Sequence, residues 1–273
     1  MSLLITDSSK CRRCAICKAV CPMSIIETND EGFPFVSEEN EPVCVQCGHC
    51  ESVCPSLALK HLRLPEMRTI RQDKVQEINP ENLSEYFCSR RSIRAFLPQT
   101  VDRSVLEQVF DSVRYAPTGI NRQENRWVVL SGAESVGRLS RAVIDWMKSM
   151  VESQADLATY LNFPGLISRY EQGEDVICRG AGNLIIGYTD ALYTGGAIDT
   201  VIATSHLELL LPSYGLGGCW AGFAMIALGY SQEVRDCVGL NELHAVRSAL
   251  MVGYPKYSYS KLPYRNAAEV QWM

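Results

Sequence analysis

From Pro80 onward the chain alternates between stretches with apolar residues at helical spacing and short uninterrupted apolar runs. A helix is predicted to open near Pro80 and run to about Ser89. A second should start at Asp102, a good N-cap residue, with Leu106, Val109, Phe110 and Val113 on one face. Trp127–Leu130, Leu184–Tyr188, Cys219–Ile226 and Ala249–Val252 are bounded by glycine or polar residues, as buried strands are. Between them lie helical patterns, the longest from Glu134 to about Tyr160 and from Ala197 to Tyr214. This part therefore reads as α/β-like or α+β, with strand order open. Leu64–Asn82 is polar, carries Arg68, Arg71, Asp73, Lys74, Glu77 and two prolines, and reads as a surface connector.

Composition narrows the class. Of 273 residues 47% are hydrophobic and 21% charged, near globular averages, which excludes disordered, collagen-like and coiled-coil chains. The length fits one or two domains. Net charge is -5 with no sustained basic face, so neither nucleic acid nor an anionic membrane is an expected partner. Asp199, His206 and Glu208 interrupt the long helical pattern before the densest apolar stretch, so no run reaches membrane-spanning length. The first residues lack a basic start followed by an apolar signal core, and the expected compartment is the cytoplasm.

The twelve cysteines are unevenly placed: eight lie between Cys11 and Cys54, leaving Cys88, Cys178, Cys219 and Cys237 for the rest. That imbalance marks a domain boundary. In a reducing compartment clustered thiols point to metal or redox chemistry. Cys11-x2-Cys14-x2-Cys17-x3-Cys21-Pro22 recurs as Cys44-x2-Cys47-x2-Cys50-x3-Cys54-Pro55, at an offset of 33 residues. Three thiolates two residues apart wrap one corner of a cubane, and the fourth, three residues further on, ligates the other cluster. Cys11, Cys14, Cys17 and Cys54 should thus bind one [4Fe-4S] cluster, and Cys21, Cys44, Cys47 and Cys50 the other. Zinc and disulfides are the alternatives; structural zinc prefers two separated ligand pairs, and reduced cytosol disfavours bridges. The front segment resembles bacterial-type two-cluster ferredoxins over roughly residues 1 to 65, a length that buries little apolar surface without its clusters.

The larger part carries no phosphate-loop string, and Gly180-Ala181-Gly182 precedes its apolar run where a dinucleotide fingerprint would follow a strand, so a Rossmann NAD site is unsupported. It does carry Arg90-Arg91-Ser92-Ile93-Arg94, guanidinium forks and a hydroxyl suited to a phosphate, although a solvated charged turn has the same composition. This segment is followed by Ala116-Pro117-Thr118-Gly119-Ile120-Asn121-Arg122-Gln123, by Gly215-Leu216-Gly217-Gly218-Cys219-Trp220 and by Gly253-Tyr254-Pro255. In that order and separation the set resembles the nitroreductase family over roughly residues 84 to 273.

The resemblance implies an α+β protein: a ferredoxin domain with two [4Fe-4S] clusters at 1–65, a linker at 66–83, and a nitroreductase-like, FMN-binding α/β sandwich at 84–273. It also implies a homodimer with each FMN at the subunit interface. By the same resemblance Arg90, Ser92 and Arg94 match the phosphate- and ribityl-binding segment, with Arg91 contributing through its main chain. Asn121 matches an asparagine contacting the flavin, with Gln123 as a further candidate for that contact. Gly217 and Gly218 match a stretch beside the ring, or else mark a tight start to a strand. Arg265 matches a C-terminal basic residue that reaches the phosphate, helped by Lys261, or else belongs to a solvated tail. The family often follows its Asn-x-Gln with Pro-Trp; here Gln123 precedes Glu124-Asn125-Arg126-Trp127, so a reshaped loop is expected.

Such an enzyme needs no catalytic triad, because the reaction chemistry belongs to the cofactor. Electrons are expected to enter singly from ferredoxin or another low-potential donor, pass through the clusters to FMN, and leave to a small organic acceptor such as a nitroaromatic or quinone. The other function class is a redox relay or sensor that exchanges electrons with a protein partner and turns over no small molecule. Alkene reduction, dehalogenation and flavin remodelling are further chemistries for the same scaffold. His206, Tyr188, Tyr193 and Tyr214 read as ordinary helix or core residues, and the four remaining cysteines as packing residues.

Overall fold

The computed structural model describes residues 3–273. The chain divides into two compact units: one extends to Ile78 and takes in Gly119–Arg122, the other comprises Asn79–Thr118 and Gln123–Met273. The division falls inside the polar segment read as a connector, which itself carries a short helix.

In the first unit the order is β1 (Leu4–Thr6), α1 (Ile16–Ala19), β2 (Glu27–Thr28), β3 (Pro34–Phe35), α2 (His49–Ser52), β4 (Leu59–His61) and α3 (Gln72–Gln76). β1 pairs antiparallel with β4, and β2 with β3. The 33-residue repeat is visible in the backbone. Arg13 and Gln46, Ala15 and Gly48, and Ser24 and Leu57 all have φ between 50 and 72°, so corresponding residues of the two repeats share left-handed turns. Five of these six carry a Cβ, and such conformations persist only where the surroundings enforce them. Each pair of turns bends the chain around its cysteines. The core is small: Leu3, Leu4, Ile25, Ile26, Val36, Cys50 and Leu59, with Cys17, Cys21, Cys44 and Cys54 packed on it.

The second unit contains α4 (Pro80–Ser89), α5 (Arg103–Val113), β5 (Arg126–Ser131), α6 (Ala133–Glu152), α7 (Asp156–Tyr160), α8 (Phe163–Glu171), β6 (Asn183–Asp190), α9 (Gly196–Leu210), β7 (Gly217–Trp220), α10 (Gly222–Tyr230), α11 (Gln232–Asp236) and β8 (His244–Gly253). Its sheet is antiparallel in the order β5-β6-β8-β7, which decides for α+β. Both faces are covered, so the strands alternate between two cores rather than between core and water. Leu184, Ile186, Ala249 and Met251 point to a layer with Val143, Phe163 and Leu228; Ile185, Leu250 and Val252 point to one with Leu106, Val109 and Leu207. Among the described residues no helix is long and apolar enough to cross a membrane.

Three predicted elements need correction. The apolar run Cys219–Ile226 is not one strand: Cys219 and Trp220 finish β7, and Gly222 begins α10. A short apolar run looks the same in a buried strand and a buried helix. The pattern from Glu134 to Tyr160 breaks after Glu152, where Gln154 takes φ 54°, and resumes as α7. α9 gives way to a 3-10 turn at Leu211–Tyr214 around Pro212. By contrast α4 occupies the predicted Pro80–Ser89.

Gly182 acquires a structural reason. A Cβ there would lie 2.1 Å from the carbonyl oxygen of Gln99, an obstacle made of backbone that cannot swing aside. Gly182→Ala is expected to destabilise the second unit by about 3 kcal/mol, read as a Tm lower by several degrees, with Gly137→Ala, where nothing lies within 4 Å, as the control.

Candidate functional site

The eight clustered cysteines are free thiols lining two hollows of the first unit. One is lined by Cys21, Cys44, Cys47 and Cys50; the other by Cys11, Cys14, Cys17 and Cys54 together with Arg12 and Arg13. Each hollow thus takes three cysteines from one repeat and one from the other. Burial pushes the Cys50 thiol up to about 11, with Cys47 and Cys44 adding to the rise. Burial likewise raises Cys17, which also feels Cys14 of its own repeat and Cys54 of the other. At Cys54 burial acts upward but is outweighed by the N–H of Ala58, 3.3 Å from Sγ, and the Ser56 hydroxyl at 3.7 Å, and the thiol is lowered. Among the described residues no three His, Cys, Asp or Glu side chains are grouped to hold a metal ion. Four soft donors spaced around a hollow fit a sulfide-bridged iron cluster better than a single zinc ion.

The second unit carries a basic cleft of about 380 Å³ lined by Arg90, Arg91, Ser92, Arg94, Tyr259, Lys261, Leu262, Pro263 and Arg265. Backbone pairing explains the convergence of residues 170 positions apart in sequence. Ile93 N–H donates to the Gly218 carbonyl at 2.9 Å, Leu97 N–H to Tyr254 at 2.9 Å, and Lys256 N–H to Ala95 at 3.0 Å. The segment is thereby clamped between β7 and the chain leaving β8, and the tail passes over the arginines. Arg90 is committed elsewhere: its Nη1 lies 2.9 Å from Oε1 of Glu208, whose Oε2 accepts from Trp220 Nε1 at 3.2 Å. Arg91 donates from Nη1 to the Arg90 carbonyl, while its buried Nε has no partner. Arg94 reaches only the Ser92 carbonyl at 3.5 Å, and Arg265 the adjacent Tyr264 carbonyl at 2.8 Å. Among the described residues no carboxylate lines the cleft. An orphaned N–H beside uncompensated guanidinium forks is what a phosphate would complete.

The other site candidates lie elsewhere. Asn121 belongs to the first unit, where its Nδ2 donates to the carbonyls of Val45 at 3.1 Å and Gln46 at 3.0 Å. Gln123 lines a second cavity of about 340 Å³ with Thr118, Asn125, Trp127 and Phe110. Gly217 and Gly218 are buried in β7. A Cβ on Gly217 would meet Ile93 Cγ1 at 2.4 Å, and one on Gly218 would meet Leu211 Cδ1 at 3.0 Å. Neither position has room for a side chain. Glu208, which orients Arg90, was visible in the sequence only as a charge interrupting an apolar helix.

Tyr188, Tyr193 and the buried Cys178 and Cys219 have structural surroundings, but Cys88 is exposed and is not the packing residue expected of it. Tyr188 packs edge-on against His244, and Tyr193 donates to Asp199 at 2.5 Å. Burial pushes the Cys178 thiol up to about 12, whereas Cys88 is exposed. With the N-terminal cysteines occupied, maleimide at pH 8 is expected to label Cys88 and leave Cys178 unmodified in the folded protein, as read by peptide mass mapping.

Residues 88–254, more than half of the chain, match the nitroreductase family. The chain belongs to the nitroreductase family. Residues 10–59 of this nitroreductase-family chain match the 4Fe-4S dicluster domain, a span that includes all eight cysteines of the two hollows. The chain is 22% identical over 196 residues to YfhC of Bacillus subtilis, which is named, without established activity, as an NAD(P)H nitroreductase; the match covers 70% of this chain and 90% of YfhC. A nitroreductase of Bacteroides fragilis with bound FMN has the same fold, with a TM-score of 0.57 at 17% identity, over 72% of this chain and all of that one. A nitroreductase of Desulfitobacterium hafniense, also with bound FMN, gives 0.55 at 19%, over 71% and 100%.

Proposed function

We propose that this protein is an iron–sulfur flavoprotein oxidoreductase that takes electrons from a low-potential donor and reduces a small organic acceptor such as a nitroaromatic or quinone. One observation carries the reading: a nitroreductase-family unit with a carboxylate-free basic cleft shares its chain with two hollows of four cysteines each. In this reading Arg91, Ser92, Arg94, Lys261 and Arg265 hold the FMN phosphate. Arg90 does so at most with the guanidinium nitrogens that Glu208 leaves unpaired. Gln123 serves the polar edge of the cofactor and Gly217 and Gly218 form the wall beside it, whereas the Asn121 amide donates to the Val45 and Gln46 carbonyls within the first unit. FMN, when bound, accepts electrons singly and delivers them in pairs. The acceptor gains two electrons and two protons.

The cysteine sets Cys11, Cys14, Cys17, Cys54 and Cys21, Cys44, Cys47, Cys50 each hold one [4Fe-4S] cluster, supplying the one-electron steps. A domain of this kind is superfluous for direct hydride transfer from NAD(P)H, which favours reduced ferredoxin or a similar carrier as donor. The protein is a homodimer in this reading. α9 is apolar on most of its surface, and Ile198 and Val201 remain exposed, as on a helix with a missing neighbour. Twelve free thiols suit the cytoplasm.

Anaerobic purification followed by iron, sulfide and FMN analysis and a reductive titration tests the whole reading. The expected result is about eight irons and one FMN per chain, with flavin bleaching that depends on the clusters. Clusters without flavin would replace it with a relay or sensor.

A further inference from the structure

The imidazole of His61 is only 1% exposed and forms part of the wall around Cys21, Cys44, Cys47 and Cys50. The residue is anchored through both its backbone and its ring. The backbone N–H of His61 donates to Glu51 Oε2 at 2.7 Å; Glu51 follows Cys50 in α2. The residue stands opposite Leu4 in the β1–β4 pairing. Its Nδ1 accepts the N–H of Arg63 at 3.2 Å, and Arg63 is itself tied to Glu41 at 2.6 Å. A ring nitrogen that accepts carries no proton, so the proton resides on Nε2. Nε2 lies 3.4 Å from Sγ of Cys44, which also accepts the Gln46 N–H at 3.4 Å. Cys44 thus sits beneath one backbone donor and one immobilised imidazole donor. In the other hollow Cys54 has the Ala58 N–H and a serine hydroxyl, and no histidine is among the described residues lining it.

We propose that His61 donates a hydrogen bond from Nε2 to the Cys44 thiolate and thereby raises the reduction potential of the cluster held by Cys21, Cys44, Cys47 and Cys50. Reduction adds one electron to the cluster and no proton moves. The added negative charge is shared by the ligand sulfurs, and a fixed N–H donor stabilises it more than it stabilises the oxidised form. His61 is therefore a positioning and tuning residue, not a ligand. The inference rests on the reading that the cysteine sets hold [4Fe-4S] clusters, and metal content tests that reading separately.

The experiment is an EPR-monitored dithionite titration of the intact, cluster-loaded protein, its His61→Gln and His61→Leu variants, with iron and sulfide counted in each. With the metal count intact, His61→Leu should weaken reduction of one cluster about tenfold, equivalent to about 59 mV downward, and leave the other midpoint unmoved. His61→Gln, which keeps an N–H donor, should fall between. Equal midpoints in all three proteins would overturn the proposal. If the leucine variant loses iron, the wild-type protein labelled with 15N-histidine decides. Pulsed EPR of the reduced state should show a 15N coupling on one cluster, kept when His49, the other histidine lining that hollow, is replaced in His49→Gln, and its absence would be equally fatal. Failure of the underlying reading looks different: no iron or sulfide in the wild-type protein.

Discussion

Replacing Arg94 and Arg265 together by alanine should strip FMN from the purified protein while its iron and acid-labile sulfide stay unchanged. Both side chains line the basic cleft and neither meets a carboxylate, so their attraction for an anion is not spent within the protein. A hydrogen bond to a charged group contributes about 1.5–3 kcal/mol. Losing one from each arginine therefore weakens binding by roughly 3–6 kcal/mol, on the order of a hundredfold to ten-thousandfold in Kd. That is enough to lose the flavin during purification. Arg90→Ala is a poorer test of the same idea. It would leave the Glu208 carboxylate, 8% exposed, without its ion-pair partner, and a buried unpaired charge costs stability whether or not flavin binds. The double variant removes two exposed side chains, so its circular dichroism should match wild type. Full FMN retention in a folded double variant would end the phosphate assignment.

What the sequence disclosed and what it withheld follow from the range of the interactions involved. The strands at the sheet centre were legible because both faces are buried and their runs Leu184–Tyr188 and Ala249–Val252 are continuous. α4 was legible because Asn79 caps it, its side chain accepting from Glu81 and Asn82 N–H groups, and Pro80 opens it. The run from Cys219 to Ile226 was not, since a buried strand and a buried helix both read as unbroken apolar sequence. The two cysteine motifs disclosed themselves through local spacing alone. The arginines drew notice as a compact basic segment that a solvated turn would equally explain, the C-terminal basic residues came from a family resemblance, and only the folded chain brings them into one cleft. Asn121 and the two glycines were read for a ligand, yet their nearest demands are the Val45 and Gln46 carbonyls and the side chains of Ile93 and Leu211. His61 was passed over altogether. A lone histidine has no sequence signature, and its meaning depends on an N–H of Arg63 and a sulfur 17 residues away.

Changing Cys54 to alanine should remove the cluster of the first repeat, not of its own. In the hollow lined by Cys11, Cys14 and Cys17 the fourth thiol is Cys54, and in the hollow lined by Cys44, Cys47 and Cys50 it is Cys21. The variant should retain about four irons and a single reducible centre. Its identity can be read through His61, because that imidazole lies against Cys44 and is not among the described residues lining the other hollow. The surviving centre of Cys54→Ala should therefore keep the histidine 15N coupling, and the surviving centre of Cys21→Ala should lack it. Ligation within each repeat demands the opposite pairing, so one spectrum from each variant separates the two arrangements. Stability should follow the metal. The apolar core of this unit is small, and cluster binding supplies much of its folding free energy. Each single-cluster variant is thus expected to be cut by protease first in the half whose thiols have lost their iron.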